Sequence, residues 1–168
     1  MKLDKQEPGR WHRHVIRVRY QETDQMGVAY HANYINWFEI GRTELIRERG
    51  LSYRSIEEKG LYLPVVELES NFRQPARYDD LLHLYTRITA YTAMTVHFES
   101  RICRPSAETD ASAQNASVSE DQELDEVVPV GDLLVEGLTR HMWLNRDWKP
   151  ARIDKEAPEL YRLLGDAR

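Results

Sequence analysis

At 168 residues, with 41% hydrophobic and 30% charged side chains, the chain has the size and composition of about one soluble globular domain. No apolar run reaches the roughly 18 residues a membrane span needs, the polar start "MKLDKQEPGRWHRH" lacks the apolar stretch of a secretory leader, and the single Cys103 excludes an internal disulfide framework or a cysteine zinc site. The net charge of −5 comes from residues 105–129, which hold seven acidic side chains and no Lys or Arg; the remainder counts 23 basic against 21 acidic, with no excess for nucleic acid.

Residues 1–13 read as an N-terminal tail and 14–168 as a single domain. In "HVIRVRY" (14–20), Ile16, Val18 and Tyr20 alternate with Arg17 and Arg19, which predicts a half-buried strand. "ETDQMG" is a turn in which Gly27 is free to take positive φ. A long amphipathic helix follows, predicted to start near Asn33 as its N-cap. Tyr34, Trp37, Phe38, Gly41 and Leu45 recur at helical spacing, and Ile35 and Ile46 widen the stripe. Glu39, Arg42, Glu44, Arg47 and Glu48 take the opposite side, and Gly50 ends the helix just past its C-cap. Gly41 costs about 1 kcal/mol against alanine in mid-helix. A very close approach of the helix to a sheet would account for it.

A short helical turn is expected around "SYRSIEEKG", then four strands at about 61–74, 81–91, 94–104 and 132–145. Val66, Leu68, Ser70 and Phe72 form the packed face of the first, with Pro64 near its start or edge. Leu82, Leu84, Thr86 and Ile88 form that of the second, and Val96, Phe98, Ser100 and Ile102 that of the third. Such alternation predicts an antiparallel sheet. The segment at about 105–129 is too poor in large apolar groups to offset its own ordering entropy and reads as a flexible insertion between two strands; a regulatory or partner-binding role is the alternative. "PELYRLL" is a short amphipathic helix. The order of strand, long helix and antiparallel strands gives an α+β class, with the sheet curled around the one helix.

The chemistry-bearing residues cluster at the helix start. A helix N-terminus leaves backbone N–H groups unpaired and carries about half a positive charge, so it stabilises an oxygen that becomes negative. Asp24 lies on the loop before it, where it could take a proton from water or attack a carbonyl. His31 could orient the water, hydrogen-bond the carboxylate or polarise the carbonyl. On spacing alone such an Asp is more often a cap or an Asx-turn residue, and such a His more often just satisfied. Cys103, in an apolar alternating stretch, reads as a packed thiol in a reducing cytoplasm. His12, His14, His83, His97 and His141 come without an HExxH or comparable ligand pair, and alternate strand positions account for them, so no metal is expected. Trp37, Trp143 and Trp148 read as packing residues.

"RVRYQETDQMGVAYHANYINWFEIGRTELIRERG", followed by "NFRQPARYDDLLHLYTRI", resembles the acyl-CoA thioesterases of the 4-hydroxybenzoyl-CoA thioesterase family. It is most similar to the branch whose signature reads roughly Y-x-x-T-D-x-x-G-V-x-Y-x-x-N-Y. The likeness runs through about residues 14–104 and resumes near 132. It implies the hotdog fold, a sheet wrapped around a central helix, and hydrolysis of an acyl-CoA substrate to a carboxylic acid and free coenzyme A. By position, Asp24 is the implied catalytic carboxylate, as base or nucleophile. His31 falls where one branch has a second catalytic residue and another uses the backbone N–H. Asn33 and Arg77 are expected to bind substrate, and Tyr30 either to line the acyl pocket or to pack beneath the helix. No metal or bound cofactor is implied. A homodimer or homotetramer with active sites between subunits is expected.

Some members of the family hold the nucleotide phosphates with basic residues at a strand turn. Here that turn is the uncharged "AYTAMT", and Arg73, Arg77, Lys149 and Arg152 are the candidate substitutes. The alternative readings are a hotdog protein that binds acyl-CoA without turnover and a thioesterase acting on an acyl carrier protein. A hotdog hydratase has a different Asp-then-His pattern, and a DNA-binding sensor would need a module for which too few residues lie outside the domain.

Overall fold

A helix with one apolar stripe and a row of alternating strands can bury their apolar sides by packing on each other. The computed structural model, which describes residues 9–106 and 127–166, does this. Strands β1 (His12–Arg17), β2 (Val65–Phe72), β3 (Leu81–Tyr91), β4 (Thr95–Arg104) and β5 (Asp132–Met142) form one antiparallel sheet in the order β1–β3–β4–β5–β2. It wraps α1 (His31–Glu48), the hotdog arrangement. Helices α2 (Tyr53–Glu58), α3 (Ile153–Glu156) and α4 (Pro158–Asp166) complete the described residues. The acidic segment expected at about 105–129 lies almost wholly outside them.

The core runs along α1 in two clusters. Tyr34, Trp37 and Phe38 pack with Val18, Leu82 and Leu134 toward the helix start. Leu45 and Ile46 pack with Ile88, Phe98, Trp143 and Leu160 toward its end. Gly50 sits at φ +88°, its N–H donating to Arg47 O (2.9 Å) while Leu51 N–H reaches Ile46 O (3.3 Å). That pair of bonds is a Schellman stop. Gly41 faces Thr86 so closely that an added Cβ would overlap the threonine hydroxyl, which is the close approach its cost implied.

The structure corrects several local expectations. β1 ends at Arg17, and Tyr20, 78% exposed, opens a 3-10 turn (Tyr20–Glu22), because the Glu22 carboxylate accepts the Arg19 N–H and turns the chain. α1 starts at His31 with Tyr30 at its cap, so Asn33 is its third residue. Arg42, assigned to the wet side, is buried, whereas Ile35 is exposed. Trp37 and Trp143 are packed in the core, but Trp148 is 69% exposed and stacks on Tyr62.

β2 differs most. Its register sets Leu68 opposite Thr139 and Thr139 opposite Phe98, so Leu68, Ser70 and Phe72 do point to the helix side of the sheet. Yet Val66, Leu68 and Phe72 are exposed, because β2 is an edge strand that α1 meets only at Phe72, edge-on to the Tyr34 ring at 5.5 Å.

Replacing Gly41 with alanine is expected to cost about 1–3 kcal/mol by forcing Thr86 aside. Thr86→Ala in the same chain should recover part of that loss, as chemical denaturation of the single and double variants will show.

Candidate active site

The site begins where β1 gives way to the 3-10 turn. Buried Glu22 joins three pieces of chain there. Its carboxylate accepts the Arg19 N–H (2.7 Å), the Arg19 guanidinium (2.9 Å) and the Trp37 indole N–H (3.1 Å). Its carbonyl accepts Tyr30 N–H and the Asn33 side-chain amide, both at 2.8 Å. Burial pushes the Glu22 carboxyl up, but the Arg19 and Trp37 donors outweigh it and hold the group below the usual range for glutamate.

Between Glu22 and the helix the chain makes a tight hairpin. Thr23 bridges Ala29, Asp24 N–H donates to Val28 O (2.9 Å), and Gly27 N–H closes the turn on Asp24 O (2.9 Å). Gly27 takes φ +75°, which glycine allows without strain. Asp24 Oδ1 accepts the Met26 N–H (2.8 Å), an Asx-turn, and Oδ2 makes no hydrogen bond to the described residues. The carboxylate thus stands half-buried opposite Val28, two residues before the helix cap.

The helix start is open. Tyr30 offers no side-chain cap, and the first turn of α1 carries no acidic residue. Asn33 N–H bonds Tyr30 O (2.9 Å), while the N–H groups of His31 and Ala32 find no partner among the described residues. Two unpaired donors at the positive end of an 18-residue helix form a place for a carbonyl oxygen that gains negative charge.

Loop 73–80 forms the neighbouring wall. Ala76 O accepts Ala29 N–H (2.8 Å) and Ala76 N–H donates to Tyr34 Oη (2.8 Å). Arg77 follows directly; its N–H donates to Asp80 Oδ2 (2.9 Å), and its guanidinium makes no ion pair among the described residues. Of the other candidate phosphate cations, Arg73 pairs with Glu136 and Arg152 with Asp154. Lys149 stands on the turn beside exposed Trp148.

The structure therefore gathers Asp24, Tyr30, His31, Asn33 and Arg77 around one helix end. It does not join Asp24 to the His31 side chain, which is exposed and packs its ring on Tyr30, centroids 4.3 Å apart. Asn33 uses its amide to hold Glu22. Glu22 itself was missed by the sequence reading; its spacing of three from Arg19 is the only local signal that could have found it. The buried Cys103 thiol is pushed up to about 11 by burial, which keeps it protonated at neutral pH.

A family model described as thioesterase-like superfamily matches residues 18–157. The chain belongs to that superfamily. YneP of Bacillus subtilis is 38% identical over 108 residues, 64% of this chain and 78% of YneP. The acyl-CoA thioester hydrolase YbgC of Escherichia coli is 34% identical over 87 residues, 52% of this chain and 65% of YbgC. Among solved structures, the DHNA-CoA thioesterase of Staphylococcus aureus superposes with a TM-score of 0.75 at 27% identity, over 93% of this chain and 89% of that one. The superfamily match spans every feature of the helix start described above, from Arg19 to Arg77.

Because Glu22 titrates lower in the fold than when free, the stability it adds is complete above its ordinary value of about 4.5 and disappears as pH falls through its folded value. Melting curves across acid pH should show that loss in the native chain and a much flatter response in Glu22→Gln. At neutral pH that variant should be less stable by about 1–3 kcal/mol.

Proposed function

We propose that the chain hydrolyses acyl-CoA thioesters to a carboxylic acid and free coenzyme A, at the amino end of α1. The observation that carries this reading is the pairing of two partnerless backbone N–H groups, on His31 and Ala32, with the Asp24 carboxylate on the hairpin leading into the same helix. The names of YbgC and of the Staphylococcus aureus thioesterase support it from outside.

The thioester carbonyl oxygen accepts the free amides and is drawn toward negative charge. Asp24 then acts in one of two ways: it removes a proton from water as the hydroxyl oxygen bonds to the carbonyl carbon, or it attacks that carbon itself and the mixed anhydride is opened by water. In either route the carbon–sulfur bond breaks, the pair of electrons leaves on sulfur, and the proton taken from water returns to it as free thiol. Asx-turn bonding to Met26 fixes the carboxylate through Oδ1 and leaves Oδ2 for the reaction. His31 contributes through its backbone rather than its exposed ring. Tyr30 lines the entrance, Asn33 positions the loop through Glu22, and the unpaired Arg77 guanidinium offers charge to a coenzyme A phosphate.

A second copy of the chain completes the site. Leu68 and Phe72 stay exposed on the helix side of edge strand β2, and an exposed strand edge of this kind invites pairing with another chain. A homodimer, or a homotetramer built from two such dimers, in the cytoplasm is the state this reading implies.

With short, medium, long and aromatic acyl-CoAs offered in turn, thiol release is expected on at least one class. Asp24→Asn should slow it by about 100-fold or more while acyl-CoA binding persists. His31→Ala should lose less than about 10-fold, since its N–H remains; a loss as large as that of Asp24→Asn would instead give the ring a part in the chemistry. Binding without thiol release across the whole panel would overturn the enzymatic reading. Separately, Leu68→Lys with Phe72→Glu should shift the chain to monomers in sedimentation.

A further inference from the structure

Between the two core clusters of α1 lies a buried polar group that the proposed reaction does not use. Arg42 is 7% exposed and has no carboxylate partner among the described residues. Its Nε donates to Tyr53 Oη (2.9 Å) and its Nη1 to His141 Nε2 (3.1 Å), which also meets Thr139 Oγ1 at 2.9 Å. The Tyr53 and Phe98 rings each lie 5.8 Å from the guanidinium carbon. Nη2 makes no hydrogen bond to the described residues.

Every one of these neighbours is neutral. Burial, with the Arg42 charge second, lowers His141 to about 4, so the imidazole carries no charge at neutral pH. Burial likewise raises Tyr53 and keeps it a phenol. The cluster therefore holds a largely buried positive charge whose bonded partners are all neutral and whose Nη2 stays open to solvent, an arrangement that a counter-ion would stabilise. Arg42 also lines a cavity of about 530 Å³, walled by Tyr53, Tyr62, Leu63, Val65 and Trp148. Glu39 and Glu57 stand on the same wall but form no ion pair with it.

We propose that this cavity binds a small carboxylic acid with an apolar or aromatic body, its carboxylate on Arg42 and its body against Tyr53, Tyr62 and Trp148. A guanidinium fork matches a carboxylate in plane. One buried cation facing two rim carboxylates suits a singly charged ligand and disfavours a phosphate dianion. Within one copy of the chain, eleven residues of helix put Arg42 about 16 Å from His31.

The test uses benzoate as probe with the whole chain, following the backbone N–H resonance of Tyr62, which lines the cavity and stays in every variant. Saturable benzoate binding is expected, weakened at least about 10-fold in Arg42→Met and in Trp148→Ala, and tightened in Glu39→Gln. Trp148 is largely exposed, so its removal leaves the fold intact and keeps the test valid if Arg42→Met is unstable. Inorganic phosphate should shift the same resonance weakly or not at all. The proposal is overturned if benzoate gives no saturable shift, or binds Arg42→Met and Trp148→Ala as it binds the native chain. It also fails if a crystal structure shows a carboxylate of this chain or of a second copy resting on the guanidinium.

Discussion

The Glu22 latch is the constraint on which the helix start depends. One residue bonds the turn after β1 through its carboxylate, the middle of the first helical cluster through Trp37, and the helix cap through its carbonyl. A buried carboxylate is tolerated only with such donors. Once it is held, the chain between Glu22 and Tyr30 has its two ends fixed, and the hairpin it forms must carry Asp24 to the position opposite Val28. The placement of the carboxylate is thus inherited from a neighbour rather than set by its own contacts. The open helix end has the same origin. A side-chain cap at residue 30 would stabilise α1 by about 1 kcal/mol, but tyrosine cannot supply it, and Asn33, which has the right chemistry, is committed to Glu22. The helix is fixed by burial and by the latch, so its first amides stay free.

Much of the fold was legible because it rests on periodicity. The stripe Tyr34, Trp37, Phe38, Gly41 and Leu45 is buried as spaced, and the alternation in β3 and β4 identifies the face that meets it. Gly41 announced close packing, and Thr86 supplies it. The failures share a cause: each turned on a partner far away in sequence. Arg42 looked wet because arginine usually is, yet Tyr53 and His141, the latter 99 residues distant, draw it inside. β2 alternates like a packed strand, and its inner residues do face the helix side; that it is an edge follows from strand order, which periodicity does not encode. Asn33 was a good cap by type, but the chain's path at Glu22 moved the cap to Tyr30.

At the candidate site the residue types were legible and their relations were not. Asp24, His31 and Arg77 could be named from spacing and resemblance. That the Asp24 carboxylate is held through one oxygen only, that the His31 ring turns to Tyr30, and that Arg77 alone of Arg73, Arg77 and Arg152 stays unpaired are matters of hydrogen bonding across the fold. Resemblance carries an identity from position to position, but the roles follow from these contacts.

The same helix presents two different positive features along its length. At its amino end the charge is fractional, spread over backbone dipoles, and open to solvent; it suits an oxygen that becomes negative only as a bond forms. At Arg42 the charge is whole and largely buried, and the neutral His141 and Tyr53 around it solvate it through dipoles without cancelling it. Dipoles and rings lower the cost of burying a guanidinium, but they do not supply the opposite charge that would close the balance. The closely packed Gly41–Thr86 contact lies beside this layer, and Thr86 Oγ1 is itself buried without a hydrogen bond. A chain selected only for stability would fill such a layer with apolar side chains, so an unpaired arginine facing a cavity here argues for a ligand that brings the missing charge.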